Sequence, residues 1–408
     1  MTEASHPRVS VVLTSYNHGK YLRQAIDSVL AQTFQDFELT IWDDASTDDS
    51  WNIIQSYTDP RIRAFRNETN QRKLVNKALA SGALRGEFVA IHHSDDTWHP
   101  LKLERQVQVL NEHDGIGAVF THAHPIDEEG QLLSDATHNY FAIFDHPNRP
   151  RHAWLRHFLL EGNALCHPSA LIRRRCFAQV GDYRYNLLQL PDLDMWIRIC
   201  LQADIHIVQE RLTYFRVRDN EANTSGNTPA NLNRINCELQ QILPNYLQIT
   251  DVDLFLRAFP EAARYPDLTP ADLPFAFALT VLSITPAIPP KLFALQVIHQ
   301  HFGDVQRHPR LLQCFGYDLG RFIADTGAYD FFNEQLLDAR LQLLRQQEST
   351  IHEQARTIMD RDATIVDLGH RVDVLQTEVN LMLGSRSWAI TRPLRTVTEW
   401  WAARRGHH

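Results

Sequence analysis

The chain has 408 residues, 44% hydrophobic and 22% charged, with a formal net charge of −9. That is enough for at least two cores, so disorder throughout is excluded. An acidic chain also lacks the basic surface with which general nucleic-acid binders displace counterions, so no nucleic acid is expected as partner.

Five widely spaced cysteines, odd in number and without a C-x-x-C pair, indicate reduced thiols rather than a disulfide framework or a zinc ribbon. Residues 1–8 lack the basic and then apolar pattern of a secretory signal, and no stretch approaches the ~20 apolar residues of a membrane span. A cytoplasmic location is therefore expected.

From Val9 to about Val217, short apolar β-branched runs alternate with amphipathic ones, the pattern of an α/β layer fold with a largely parallel sheet. Strands are predicted at residues 9–13, 38–42, 62–65, 88–91 and 118–121. Between the first two, Leu22, Ala25, Ile26, Val29 and Leu30 recur at helical spacing over residues 21–32, which suits a right-handed crossover. In such sheets the ligand lies beyond the carboxyl ends of the strands, where Thr14-Ser15-Tyr16-Asn17, Asp43-Asp44 and Ser94-Asp95-Asp96 fall.

The polar stretch Asn220 to Pro229 marks a boundary near residue 230. We read residues 1–230 as the α/β domain, 231–335 as proline-broken short helices, 336–384 as a coiled-coil-like helix and 385–408 as a basic Trp/Arg-rich tail. In the long helix Leu337, Leu341, Leu344, Ile351, Ala355 and Ile358 keep heptad spacing, with a register shift at Ile365 and Leu368. Such a seam favours a homo-oligomer, and a helix folded back on its own domain is the alternative. Trp388, Trp400 and Trp401 among arginines suit peripheral contact with the inner face of a membrane, or else a buried terminal helix.

Several motifs in order carry a resemblance: Val9-Ser10-Val11-Val12-Leu13-Thr14-Ser15-Tyr16-Asn17, Asp43-Asp44-Ala45-Ser46-Thr47-Asp48, Ser94-Asp95-Asp96, His167-Pro168-Ser169 and Asp192-Leu193-Asp194-Met195-Trp196. Over about 220 residues the chain resembles the family 2 glycosyltransferases. The resemblance implies a GT-A nucleotide-diphospho-sugar transferase fold, a doubly wound mixed sheet, here followed by the helical domain and the C-terminal helix.

Asp43 and Asp44 end a strand and can accept hydrogen bonds from a base or ribose, the resemblance favouring Asp44; a plain helix N-cap is the competing reading. Thr14 and Tyr16 suit polar and stacking contacts to the base, and Arg72 and Asn76 reach for nucleotide or diphosphate unless they are helix-surface residues. Adjacent carboxylates aimed into one cleft repel unless a cation compensates, so Mg²⁺ or Mn²⁺ is expected. The resemblance makes Asp96 the metal ligand and Asp95 a sugar or ribose contact. His93 stands where many members have an acid, which leaves the coordination sphere incomplete on paper.

Asp192 falls where the family carries its general base, although Asp192 is also a candidate N-cap and Asp194 a candidate base. Arg218 replaces a histidine that many members place near the metal or diphosphate, and a guanidinium there can neutralise diphosphate charge. His122-x-His124 lacks the further ligands of a zinc site.

The expected activity is inverting transfer of a sugar from a UDP-, dTDP- or GDP-sugar to a hydroxyl of a saccharide or lipid-linked acceptor, as in O-antigen or capsule assembly. A non-catalytic scaffold is the main alternative. A sugar nucleotidyltransferase needs a glycine-rich phosphate loop after its first strand, which Thr14-Ser15-Tyr16-Asn17-His18-Gly19 does not supply.

Overall fold

Short runs rich in β-branched and aromatic residues form strands. They become β1 (Val9–Ser15), β2 (Phe37–Asp43), β3 (Ile62–Arg66) and β4 (Phe88–His93), each within two residues of its expected place. β1, β2 and β4 are buried on both faces, and the edge strand β3 is half-exposed. The chain continues through β5 (Thr97–Trp98), β6 (Ile116–Ile126), β7 (Leu171–Arg173) and β8 (Asp204–Arg216). This is a computed structural model, and it describes residues 6–134, 140–218, 226 and 228–405.

The eight strands form one sheet in the order β3-β2-β1-β4-β7-β6-β8-β5. β1 pairs in parallel with β2 and β4, and β2 with β3, which is the parallel half expected of a doubly wound fold. β7 then runs antiparallel to both β4 and β6, and β5 antiparallel to β8, so the sheet is mixed.

Helices α1 (Gly19–Leu30), α2 (Ser50–Gln55), α3 (Leu74–Ala80), α4 (Lys102–Glu112), α5 (Tyr140–Phe144), α6 (Arg151–Leu160), α7 (Arg174–Val180) and α8 (Pro191–Gln202) connect the strands. Leu22, Ile26 and Val29 of α1 and Leu103, Val107 and Leu110 of α4 pack with Val11, Leu13, Ile41 and Ala90 of the sheet in one core. Burying each such aliphatic side chain contributes about 1.5–3 kcal/mol.

After the expected boundary stretch 220–229, of which only Gly226, Thr228 and Pro229 lie within the described residues, come α9 (Pro229–Ile242), α10 (Val252–Ala258), α11 (Leu273–Ile284), α12 (Ile288–Phe302), α13 (His308–Phe315) and α14 (Leu319–Thr326). Proline sits in the first turn of α9, α11, α12 and α13, where its missing N–H is not needed. Tyr246 stacks on Phe277 and Phe259 meets both edge to face at their centre, and Tyr246 Oη donates to Leu155 O of α6 at 2.9 Å, tying these helices to the sheet-bearing part. Met1–Ala328 form one compact unit and Tyr329–His408 a second.

The second unit is α15 (Glu334–Gly384), α16 (Arg386–Ile390) and α17 (Arg392–Arg405). The heptad residues Leu337, Leu341, Leu344, Ile351, Ile358 and Ile365 of α15 are all exposed, as are Trp388, Trp400 and Trp401. No helix among the described residues is long and apolar enough to cross a membrane.

Candidate active site

The ends of β1, β2 and β4 deliver their polar residues to one side of the sheet, because parallel pairing holds Ser15 beside Asp43 and Thr14 beside His93. Three non-glycine residues in the loops leaving β1, β2 and β3 adopt left-handed backbone: Asn17 (φ 53°), Ala45 (φ 61°) and Arg72 (φ 60°). Strain of this kind persists only where neighbours over-determine it. Those neighbours are close at hand. Asn17 Oδ1 accepts from Thr47 N at 2.7 Å, and the Asp44 carboxylate accepts from Asn67 Nδ2 (2.6 Å), Gln71 N (2.8 Å) and Arg72 N (2.7 Å).

Asp44 thus shapes the loop after β3, and Arg72 contributes its backbone N–H while its side chain is exposed. Asp43 is fully buried; its Oδ2 accepts from Ser46 N at 3.0 Å and lies 3.3 Å from Arg66 Nε, while Oδ1 has no hydrogen-bond partner. Thr14 is half-buried and Tyr16 is 43% exposed, leaving that ring's face open. Asn76 is committed to the Tyr183 backbone, donating to its O at 2.5 Å and accepting from its N at 3.1 Å.

The turn after β4 carries the acid pair. Asp96 is 1% exposed: Oδ1 accepts from Arg216 N at 2.8 Å, whereas Oδ2 has no hydrogen bond and faces His93 Nδ1 at 3.5 Å. Burial, and then the adjacent Asp95 charge, push the Asp96 carboxyl up from its ordinary range. Opposing this, His93, in spite of burial, is held above its ordinary value by Asp96, Asp95 and Asp192. Ligand atoms of His93, Asp95 and Asp96 lie within 4.8 Å of one another. A buried orphan carboxylate oxygen beside two further donors fits a divalent cation, since such an oxygen is costly unless something positive meets it.

Arg216 fixes this turn, and no feature of the stretch 212–218 singles it out in advance. Fully buried, it donates from Nε to Asp95 O (2.7 Å), from Nη1 to Asp127 O (2.7 Å) and Glu128 O (2.9 Å), and from Nη2 to Gln24 Oε1 (2.8 Å), with its guanidinium 4.7 Å over Tyr21. Two residues on, Arg218 Nη1 lies 3.1 Å from His18 Nε2, whose Nδ1 is 2.8 Å from Ser94 Oγ and 3.9 Å from Asp95 Oδ2. Burial lowers the His18 pKa. Arg218 thus lies beside His18, which in turn meets the acid turn.

Asp192 and Asp194 open α8 but differ in surroundings. Asp194 is fully buried and saturated: Oδ1 accepts from Asn245 Nδ2 (2.8 Å) and pairs with Arg184 (3.1 Å), and Oδ2 binds Arg198 through Nε (2.8 Å) and Nη2 (2.7 Å). Half-buried Asp192 accepts from neutral donors, Leu193 N (2.8 Å) and Asn163 Nδ2 (2.6 Å). Burial raises its pKa to about 6, against the lowering effect of those bonds and of His93.

The helices after residue 230, whose sequence suggests no chemistry, hold the approach to Asp192. The Glu238 carboxylate of α9 accepts from Leu188 N, Gln189 N and Leu190 N, each at 2.8 Å, gathering three successive amides just ahead of Pro191. His122 and His124 meet backbone oxygens, His146 O (3.0 Å) and Leu133 O (3.3 Å), and neither belongs to a potential metal-binding group among the described residues.

Residues 10–180 match the model of the family described as Glycosyl transferase family 2. An uncharacterised glycosyltransferase of Methanocaldococcus jannaschii is 29% identical over 226 residues, which is 53% of this chain and 74% of that protein. Another, of Nostoc sp., is 38% identical over 223 residues, 52% of this chain and 65% of that protein. These matches span about half of the chain. The crystal structure of S. aureus TarS 1–349 in complex with UDP-GlcNAc is similar with a TM-score of 0.52 at 18% identity, covering 76% of this chain and 94% of that one, a likeness of fold. With the mixed sheet and the acid turn at its strand ends, these findings agree: residues 10–180 match a family 2 glycosyltransferase domain, on a fold like that of TarS, which supports a transferase.

Proposed function

We propose that the chain is an inverting glycosyltransferase that takes a sugar from a nucleoside diphosphate sugar and transfers it to a hydroxyl of a saccharide or lipid-linked acceptor in surface polysaccharide assembly. The observation that carries this reading is the pairing of an orphaned, buried Asp96 Oδ2 with a separate carboxylate, Asp192, whose pKa is about 6.

Asp43 through its unpartnered Oδ1, Thr14 and Tyr16 would serve base and ribose, while Asp44 acts through the loop that it shapes and that carries Arg72. Asp96 and Asp95 would hold Mg²⁺ or Mn²⁺, which neutralises diphosphate charge when bound. Arg218 adds a positive charge to the departing diphosphate. The UDP-GlcNAc bound to the TarS structure is consistent with a uridine donor here, alongside dTDP and GDP donors.

Asp192 is the general base. Ionised above about pH 6, it takes the acceptor hydroxyl proton as that oxygen bonds to the anomeric carbon and the bond to the diphosphate oxygen breaks. Asp194 is not given this role because both its oxygens already face cations or an amide donor. The scaffold alternative predicts no turnover at all. Asp96→Ala and Asp192→Asn, assayed for donor hydrolysis and transfer, separate the two: each loses about 10²-fold or more if the residues act as stated, and wild-type rates in both would refute the assignment. The exposed heptad face of α15 supports self-association, and the tryptophans of α16 and α17 support a peripheral membrane contact at the cytoplasmic face.

A further inference from the structure

We propose that His93, through Nδ1, is a third protein ligand of the divalent cation, so that the site is of mixed nitrogen and oxygen character and favours Mn²⁺ over Mg²⁺; this rests on the cation-assisted reading above. Three independent features of the acid turn carry it.

The first is distance. Donor atoms of His93, Asp95 and Asp96 lie within 4.8 Å of one another. Atoms bound at ~2.1 Å to a common ion are separated by roughly 3 Å when adjacent and roughly 4 Å when opposite, so a local closing-in of these three side chains completes the set.

The second is the state of the facing atoms. Asp96 Oδ2 and His93 Nδ1 are 3.5 Å apart without a hydrogen bond to join them, although Asp96 is 1% exposed and its other oxygen is satisfied by Arg216 N. A buried polar atom ordinarily finds a partner, and an orphaned carboxylate oxygen facing a half-buried imidazole nitrogen suits a cation held between them.

The third is the chain behind the imidazole. His93 Nε2 is 3.0 Å from His167 Nδ1, and His167 Nε2 is 3.0 Å from Tyr183 Oη. If His93 carries its proton on Nε2 it donates to His167 Nδ1; His167 then carries its own on Nε2 and donates to the Tyr183 oxygen. Every contact is satisfied and Nδ1 of His93 keeps its lone pair for the ion. Metal-binding histidines characteristically use the second ring nitrogen in this way, to fix tautomer and orientation. An imidazole donor also suits a transition ion, where Mg²⁺ prefers oxygen alone. The competing picture is a half-buried histidine pair in which His93 Nδ1–H simply turns toward Asp96.

The full-length protein titrated with Mn²⁺ alone and read by pulsed electron paramagnetic resonance distinguishes them. The expected result is a ¹⁴N coupling to bound Mn²⁺ in wild type that disappears in His93→Asp while Mn²⁺ still binds, together with a Mn²⁺-to-Mg²⁺ affinity ratio that falls toward one in that variant. His167→Ala, which leaves the ligands in place, should weaken Mn²⁺ binding by about tenfold. Bound Mn²⁺ without nitrogen coupling, or coupling that persists in His93→Asp, overturns the role of His93 and leaves the transferase reading standing. Wild type that binds no Mn²⁺ overturns both this inference and the cation.

Discussion

Replacing Asp192 by asparagine should make the metal-free protein more stable at neutral pH while removing its activity. The native carboxyl has a pKa of about 6, against an ordinary value of 3.8, and burial is the main cause. A folded-state pKa raised above the unfolded one favours folding at pH below the unfolded value, and that advantage is lost as pH climbs from about 4 through 6. The full difference corresponds to about 3 kcal/mol above pH 7. Asparagine carries no charge to desolvate, but its amide cannot accept from both Leu193 N and Asn163 Nδ2, so the loss of one hydrogen bond offsets about 1 kcal/mol of the gain.

About 2 kcal/mol remains. At roughly 2.1 cal/mol/K per residue over the Met1–Ala328 unit, this is a rise in Tm of about 3 °C at pH 7.5. The assay is differential scanning calorimetry of wild type and Asp192→Asn in chelator at pH 4.5 and 7.5. The gain should be present at pH 7.5 and shrink or reverse at pH 4.5. Equal shifts at both pH values, or a loss at pH 7.5, would refute the claim that this carboxylate is held at a cost to folding, as expected of a group poised for proton transfer.

Transfer rate in wild type should rise with pH through about 6 and level off above it, because the base works only when ionised; a flat profile from pH 5 to 8 under chemistry-limited conditions would count against Asp192. Arg216→Met removes at least four hydrogen bonds from a fully buried guanidinium and should cost about 3–5 kcal/mol, read as a lower Tm and weaker Mn²⁺ binding together. Arg218→Ala should raise KM for the donor by about tenfold with little change in stability, since a half-buried guanidinium that would pair with the diphosphate is gone. Removing residues 385–408 should abolish sedimentation with anionic vesicles, and removing 334–408 should reduce the mass in light scattering to that of a monomer; unchanged behaviour in either case dismisses the corresponding surface.

The parallel half of the sheet was readable from the sequence because β1, β2 and β4 are continuous apolar runs with turn residues at their ends, and α1 shows helical spacing over more than two turns. β5 and β7 were not, at two and three residues: pairing with β8 on one side and β4 and β6 on the other makes them strands, and no local pattern signals that. The acids of the site were legible as residue types at strand ends. The groups that hold them were not. Arg216 reaches the acid turn from 120 residues away, Glu238 gathers amides about 50 positions earlier, and the His93, His167 and Tyr183 chain joins three separate segments. Asp192 and Asp194 look alike in sequence, and only the packing of Arg184, Arg198 and Asn245 around the second tells them apart.

The central claim is that acids from separate strand ends and from α8 serve one cation-assisted nucleoside diphosphate site. Thermal shift of the full chain against UDP, GDP, dTDP and CMP, with and without Mn²⁺, tests it directly. One of the nucleoside diphosphates should raise Tm in wild type only with Mn²⁺, and Asp96→Ala should abolish that dependence. Failure of every nucleotide to shift Tm, or an identical Mn²⁺-dependent shift in Asp96→Ala, would contradict the account.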